Sequence, residues 1–146
     1  AAGIPVTHRG LSGSVTIANG HDVEQHDWSA LARSAGTLVF LMAVEHLADI
    51  TANLLAAGRD IDEPAAVVQW ATTARQRSVH AALGQIADVA RTAGLGAPAV
   101  LLVGPTAALA GALGPKEVRS RQGRSAKASE AAESAGRLST SSLVEN

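Results

Sequence analysis

Five histidines, His8, His21, His26, His46 and His80, have the widest chemical repertoire in this chain, and no cysteine accompanies them. A helical metal site needs two such rings one turn apart on one helix, and structural zinc sites are usually built with thiolates. No two of these histidines stand four residues apart, so their spacing predicts no metal. His21 and His26 fall in a Gly/Asp-rich loop and read as solvated, and His46 lies beside an apolar stripe as a surface residue. Serines are plentiful, yet Leu11-Ser12-Gly13-Ser14 misses the Gly-x-Ser-x-Gly elbow by one position, which argues against a Ser/His/Asp hydrolase. No phosphate-binding Gly-x-x-x-x-Gly-Lys-Ser/Thr occurs, and no lysine precedes Lys116. What stands out is polar or small residues directly after three apolar runs: Ala43-Val44-Glu45 after Met42, Ala71-Thr72-Thr73 after Trp70, and Gly104-Pro105-Thr106 after Val103. Ligands of open α/β sheets collect at the carboxyl ends of strands, so these three loops are the expected binding edge.

The elements that would hold those loops follow from periodicity and punctuation. Ser14 to Asn19 is β-branched and closes on Asn19-Gly20, which predicts a strand and a turn. Asp27 caps a short helix from Trp28 to Ser34, and Gly36 ends it. Thr37 to Met42 and Ala65 to Trp70 are short, continuously apolar runs, read as buried strands. Between them Val44, Leu47, Ala48, Thr51, Leu54 and Leu55 recur at helical spacing up to Gly58. Arg77 to Ala82 is ambiguous between strand and helix. Leu83 to Ala93 is an amphipathic helix stopped by Gly94. Ala99 to Val103 is a strand between Pro98 and Gly104-Pro105, and Thr106 to Leu113 a short Ala-rich helix. The alternation predicts an α/β layer with helices on a mixed, mostly parallel sheet of about five strands.

Composition restricts the function classes. The chain has 146 residues, 47% of them hydrophobic, but Trp28, Trp70 and Phe40 are its only aromatics, so the core must be aliphatic. A formal net charge of −1 argues against nucleic-acid or membrane-surface partners. No apolar run approaches the roughly 20 residues that span a bilayer, and no signal-type leader opens the chain, so a soluble, cytoplasmic protein is expected. From Pro115 onward the composition turns to Ser, Ala, Arg, Lys, Glu and Gly. Residues 1–114 therefore read as one domain, and residues 115–146 as a low-complexity, disordered tail.

Four segments in order, Gly3-Ile4-Pro5-Val6-Thr7-His8-Arg9-Gly10, Thr37-Leu38-Val39-Phe40-Leu41-Met42, the run from Ala66 to Arg77, and the run from Ala97 to Gly104, resemble the carboxy-terminal half of the tetrapyrrole methylases. The resemblance covers about Ala1 to Leu113. It implies the second α/β domain of a methyltransferase that uses S-adenosylmethionine as cosubstrate and no metal. The implied reaction is methylation of uroporphyrinogen III at C2 and C7 to precorrin-2, with the catalytic residues in the missing amino-terminal half and the isolated fragment inactive. The alternatives are action on another precorrin or cobalt-precorrin, or a non-catalytic remnant that dimerises or binds tetrapyrrole. By resemblance Met42 and Ala71 are the cosubstrate contacts, and a homodimer is the expected assembly of the full-length protein. His8 and Arg9 are candidates for gripping the carboxylates of the tetrapyrrole, because a guanidinium binds carboxylates in a bidentate fork. Arg75 and Arg77 raise the same possibility.

Overall fold

The computed structural model describes residues 2–34 and 36–110. The domain boundary expected at residue 114 and the tail after it lie outside the described residues. The elements run β1 (Val15–Asn19), α1 (Trp28–Arg33), β2 (Thr37–Leu41), α2 (Leu47–Ala56), β3 (Pro64–Gln69), β4 (Arg77–Ala82), α3 (Ile86–Thr92) and β5 (Ala99–Val103). Single 3-10 turns occupy Val23–Gln25 and Val44–His46, and a longer one Pro105–Leu109. Among the described residues no helix is long and apolar enough to cross a membrane.

Local chemistry accounts for most of the boundaries. Asp27 Oδ1 accepts from Ala30 N at 2.9 Å, the cap that starts α1. The ambiguous segment 77–82 is a strand, paired with β3 from Gln69 opposite Arg77 to Pro64 opposite Ala82. α2 turns Leu47, Ile50, Thr51 and Leu54 inward. α3 begins at Ile86 and not at Leu83, because the amides of Leu83 and Gly84 are already bonded to the carbonyls of Glu63 and Ile61, at 2.8 and 3.0 Å. The short helix expected from Thr106 is the 3-10 segment that starts at Pro105.

The five strands lie in the order β1-β2-β5-β3-β4. The sheet is mixed and flanked by helices as expected, but it is not mostly parallel. Only β1 and β2 pair in parallel, while β2 with β5, β5 with β3, and β3 with β4 are antiparallel. The cause lies in the hairpin between β3 and β4, which reverses the chain. The crossover through α3 then returns it in the direction in which it left β4. β5 therefore runs against the two strands between which it inserts.

Strand alternation divides the sheet into two faces. Leu38, Phe40, Val67, Leu101 and Val103 meet the helices, where Ile50, Leu54 and Ile86 are fully buried. Phe40 also stacks against Trp28, with ring centroids 6.1 Å apart. On the other face Val39, Val68 and Leu102 are covered by Ala2 and Ile4 of the amino-terminal segment. A buried hydroxyl chain ties down the Thr37 end of this face. Ser12 Oγ lies 3.1 Å from Thr37 Oγ1, which lies 2.8 Å from Thr106 Oγ1, so each buried hydroxyl has a partner. Toward β1 the same face is open, with Ile17 64% and Leu41 43% exposed.

Candidate functional site

β2 and β3 point the same way, and the turns that follow them meet across the start of β5. Leu41, Met42, Val44 and Glu45 from the first turn, and Val68, Trp70, Ala71 and Thr73 from β3 and the second, line one cleft. Its floor is Ala97 to Val100, and His21 closes one side. The volume is about 650 Å³, inside the range of roughly 300–1,000 Å³ typical of small-molecule sites. Most of the lining is apolar, with the imidazole of His21, the carboxylate of Glu45 and the hydroxyl of Thr73 as polar side chains.

Both turns hold an unusual backbone. Among the described residues three non-glycine residues have positive φ, namely Met42 (55°), Trp70 (51°) and Thr72 (70°), and all three lie in these two turns. A side chain in the left-handed region is strained, and such strain persists where the surroundings enforce it and gathers at functional sites. The second turn is braced by its own polar groups. Thr73 Oγ1 donates to Trp70 O at 2.8 Å, and Thr72 N donates to Gln76 Oε1 at 2.8 Å. Trp70 N donates to Pro98 O at 3.1 Å, which joins this turn to the cleft floor. The guanidinium carbon of Arg75 sits 3.9 Å from the centroid of the Trp70 ring, a cation–π contact that fixes the indole at the cleft.

Met42 and Ala71, named from sequence for the cosubstrate, thus share one cleft, and Met42 is 60% exposed at it. His8 and Arg9 lie elsewhere. They belong to a tight turn in which His8 and Ser12 exchange backbone hydrogen bonds of 2.9 Å, and they line a separate shallow concavity of residues 7–13. Ser12 is bonded to Thr37 at the start of β2, roughly 13 Å by strand rise from Leu41, the residue before Met42. Arg77, on β4, donates to Ala93 O at 2.6 Å. Of the three loops expected at the binding edge, the third is a correction: Gly104-Pro105-Thr106 is at the far end of the sheet, because β5 is inverted and presents its first residues to the cleft.

Two features had no counterpart in the motif reading. Trp70 is a wall of the cleft; its signal was an aromatic directly at the end of an apolar run in a chain with only three aromatics. The other is a cluster at the cleft rim. One nitrogen from each of His21 and His46 and one oxygen of Glu45 lie within 4.8 Å of one another. The histidines are twenty-five positions apart in sequence, so no local spacing announces them. His80, outside this group, has its pKa lowered by burial.

The profile of the family described as Tetrapyrrole (Corrin/Porphyrin) Methylases matches residues 1–87. A uroporphyrinogen-III C-methyltransferase of Sinorhizobium sp is 42% identical over 118 residues, 77% of this chain and 42% of that protein. A siroheme synthase of Chromobacterium violaceum is 39% identical over 112 residues, 75% of this chain and 24% of that protein. The crystal structure of uroporphyrin-III C-methyl transferase from Thermus thermophilus, complexed with S-adenyl homocysteine, superposes with a TM-score of 0.64 at 34% identity. That match covers 73% of this chain and 48% of the Thermus chain. The chain therefore spans less than half the length of these relatives.

Proposed function

This chain belongs to the tetrapyrrole (corrin/porphyrin) methylases, and we propose that it is one half of an S-adenosylmethionine-dependent uroporphyrinogen-III C-methyltransferase, carrying one wall of the methyl-donor site. The observation that carries the reading is the meeting of Met42 and Ala71 in one cleft walled by two strained strand-end turns. A thioether is flexible and polarisable enough to pack against an adenine or a sulfonium methyl. Ala71, lacking bulk, leaves backbone N–H and C=O accessible to a purine edge. In the proposed reaction a pyrrole carbon of uroporphyrinogen III attacks the sulfonium methyl. A C–C bond forms, the S–C bond breaks and S-adenosylhomocysteine leaves. The charged macrocycle then loses a proton. The rate gain lies in aligning donor and acceptor, which a cleft between two domains can supply. No residue of this chain is assigned to the proton transfer, so the isolated chain is expected to be inactive toward uroporphyrinogen III.

The open sheet face at Ile17 supports a further part of this reading, a subunit contact in a homodimer of the complete protein. The test of the donor site is isothermal titration of the 146-residue chain with S-adenosylhomocysteine, beside the same chain carrying Met42→Ala. Binding that the substitution weakens is expected. Equal binding by both chains would remove Met42 from the donor site, and no binding by either would mean that the other wall of the site is indispensable.

A further inference from the structure

His21, Glu45 and His46 converge from two loops that follow adjacent parallel strands. We infer that they form a binding site for a divalent transition-metal ion of the zinc class at the rim of the cleft, with His21 and Glu45 bordering both the ion site and the cleft. Two imidazole nitrogens and a carboxylate oxygen are borderline ligands suited to such an ion, and the missing thiolates disfavour softer ones. The candidate ligand atoms lie within 4.8 Å of one another. Ligands about 2.1 Å from a tetrahedral zinc are about 3.4 Å apart, so closure requires movements below about 1 Å. His21 and Glu45 are exposed and can make that adjustment by rotating, while His46 is half-buried.

A second observation points to a cation at the same place. On the outer side of the two imidazoles lies a concavity of about 540 Å³ whose walls include Asp22, Glu24 and Asp49, and no Lys or Arg among the described residues that line it. Asp49 Oδ2 is 3.7 Å from His46 Nδ1 and adds an anionic oxygen beside the cluster. A recess walled by carboxylates beside two imidazoles is attractive to a dication, and a carboxylate close to a ligating histidine orients its ring. The loops are also held at contact distance. Gly20 N donates to Leu41 O at 2.6 Å, and a Cβ on Gly20 would stand only 2.6 Å from Ala43 Cα. The site therefore depends on a backbone approach that only glycine permits.

The experiment is titration of the metal-free 146-residue chain with Co²⁺, read by the visible d–d bands that intensify when protein ligands replace water, followed by displacement with Zn²⁺. One ion per chain is expected. His21→Ala and the near-isosteric Glu45→Gln should each weaken uptake by more than about tenfold, and Asp49→Asn by about tenfold, while His80→Ala, on β4, should bind as the parent does. The far-ultraviolet circular dichroism of each variant checks the fold. Absence of the intensified bands, or uptake unaffected by His21→Ala and Glu45→Gln, would overturn the site.

Discussion

Met42 is asked to do two things that a single substitution can separate. Its backbone has φ of 55°, and its side chain is 60% exposed at the cleft. Met42→Gly removes the strain of a left-handed non-glycine residue, a gain of about 1–2 kcal/mol. Against this stand the greater freedom of glycine in the unfolded chain, roughly 0.5–1 kcal/mol, and the lost burial. Fully burying a methionine contributes about 1.5–3 kcal/mol, and with 60% of the residue exposed the loss is roughly 1 kcal/mol. The terms nearly cancel, and Met42→Gly should move the unfolding free energy by less than about 1 kcal/mol.

Ligand affinity should respond differently. If the thioether packs on the methyl donor, its removal forfeits contacts worth about 1–2 kcal/mol, or about tenfold in Kd. Urea unfolding of parent and variant, followed by tryptophan fluorescence and extrapolated to water, gives the first quantity. Titration with S-adenosylhomocysteine gives the second. Unchanged stability with weakened binding is the expected pair. A loss of more than about 2 kcal/mol in stability with unaltered affinity would refute the reasoning, because it would make Met42 part of the framework and its strain incidental to ligand binding.

Two further perturbations test the framework around the site. Arg59 Nε lies 2.8 Å from Glu63 Oε2 in a largely buried pair, yet burial raises the Glu63 carboxyl above its usual 4.5 more than Arg59 lowers it. The native state therefore holds this proton to a higher pH than the unfolded chain does, so its contribution is full below pH 4.5 and is lost as pH rises through the raised value. The melting temperature of the parent should fall relative to that of Glu63→Gln as pH increases from 4.5; a difference that stays flat or rises would show that the Arg59 attraction dominates. On the open sheet face, Ile17→Lys should reduce concentration-dependent association in sedimentation velocity. A parent chain that is monomeric throughout, or a variant that associates equally, would remove Ile17 from any subunit contact.

The features legible in sequence were those decided within a few residues. The apolar runs of β2 and β5 are bounded by Gly and Pro, and Asp27 marks its helix start through one hydrogen bond. Strand direction is not a local property. Nothing between Ala99 and Val103 says which neighbours the strand will have, and its inversion moved one of three expected loops to the wrong end of the sheet. The cleft survived that error because β2 and β3 do share a direction, so Met42 and Ala71 emerge at one edge whatever lies between them.

The rim cluster was hidden for the same reason, and it follows from the one pairing that is parallel. β1 and β2 run side by side in register from Val15 opposite Thr37 to Asn19 opposite Leu41, so their following loops leave the sheet level with each other. Antiparallel strands would have sent His21 and His46 to opposite edges. Register alone would still have left the loops apart if a side chain stood at residue 20, since its Cβ would collide with Ala43. Asn19-Gly20 reads in sequence as a turn signal. In the folded chain the absent side chain matters more, because it lets the backbone of one loop touch the other and carries His21 to Glu45 and His46.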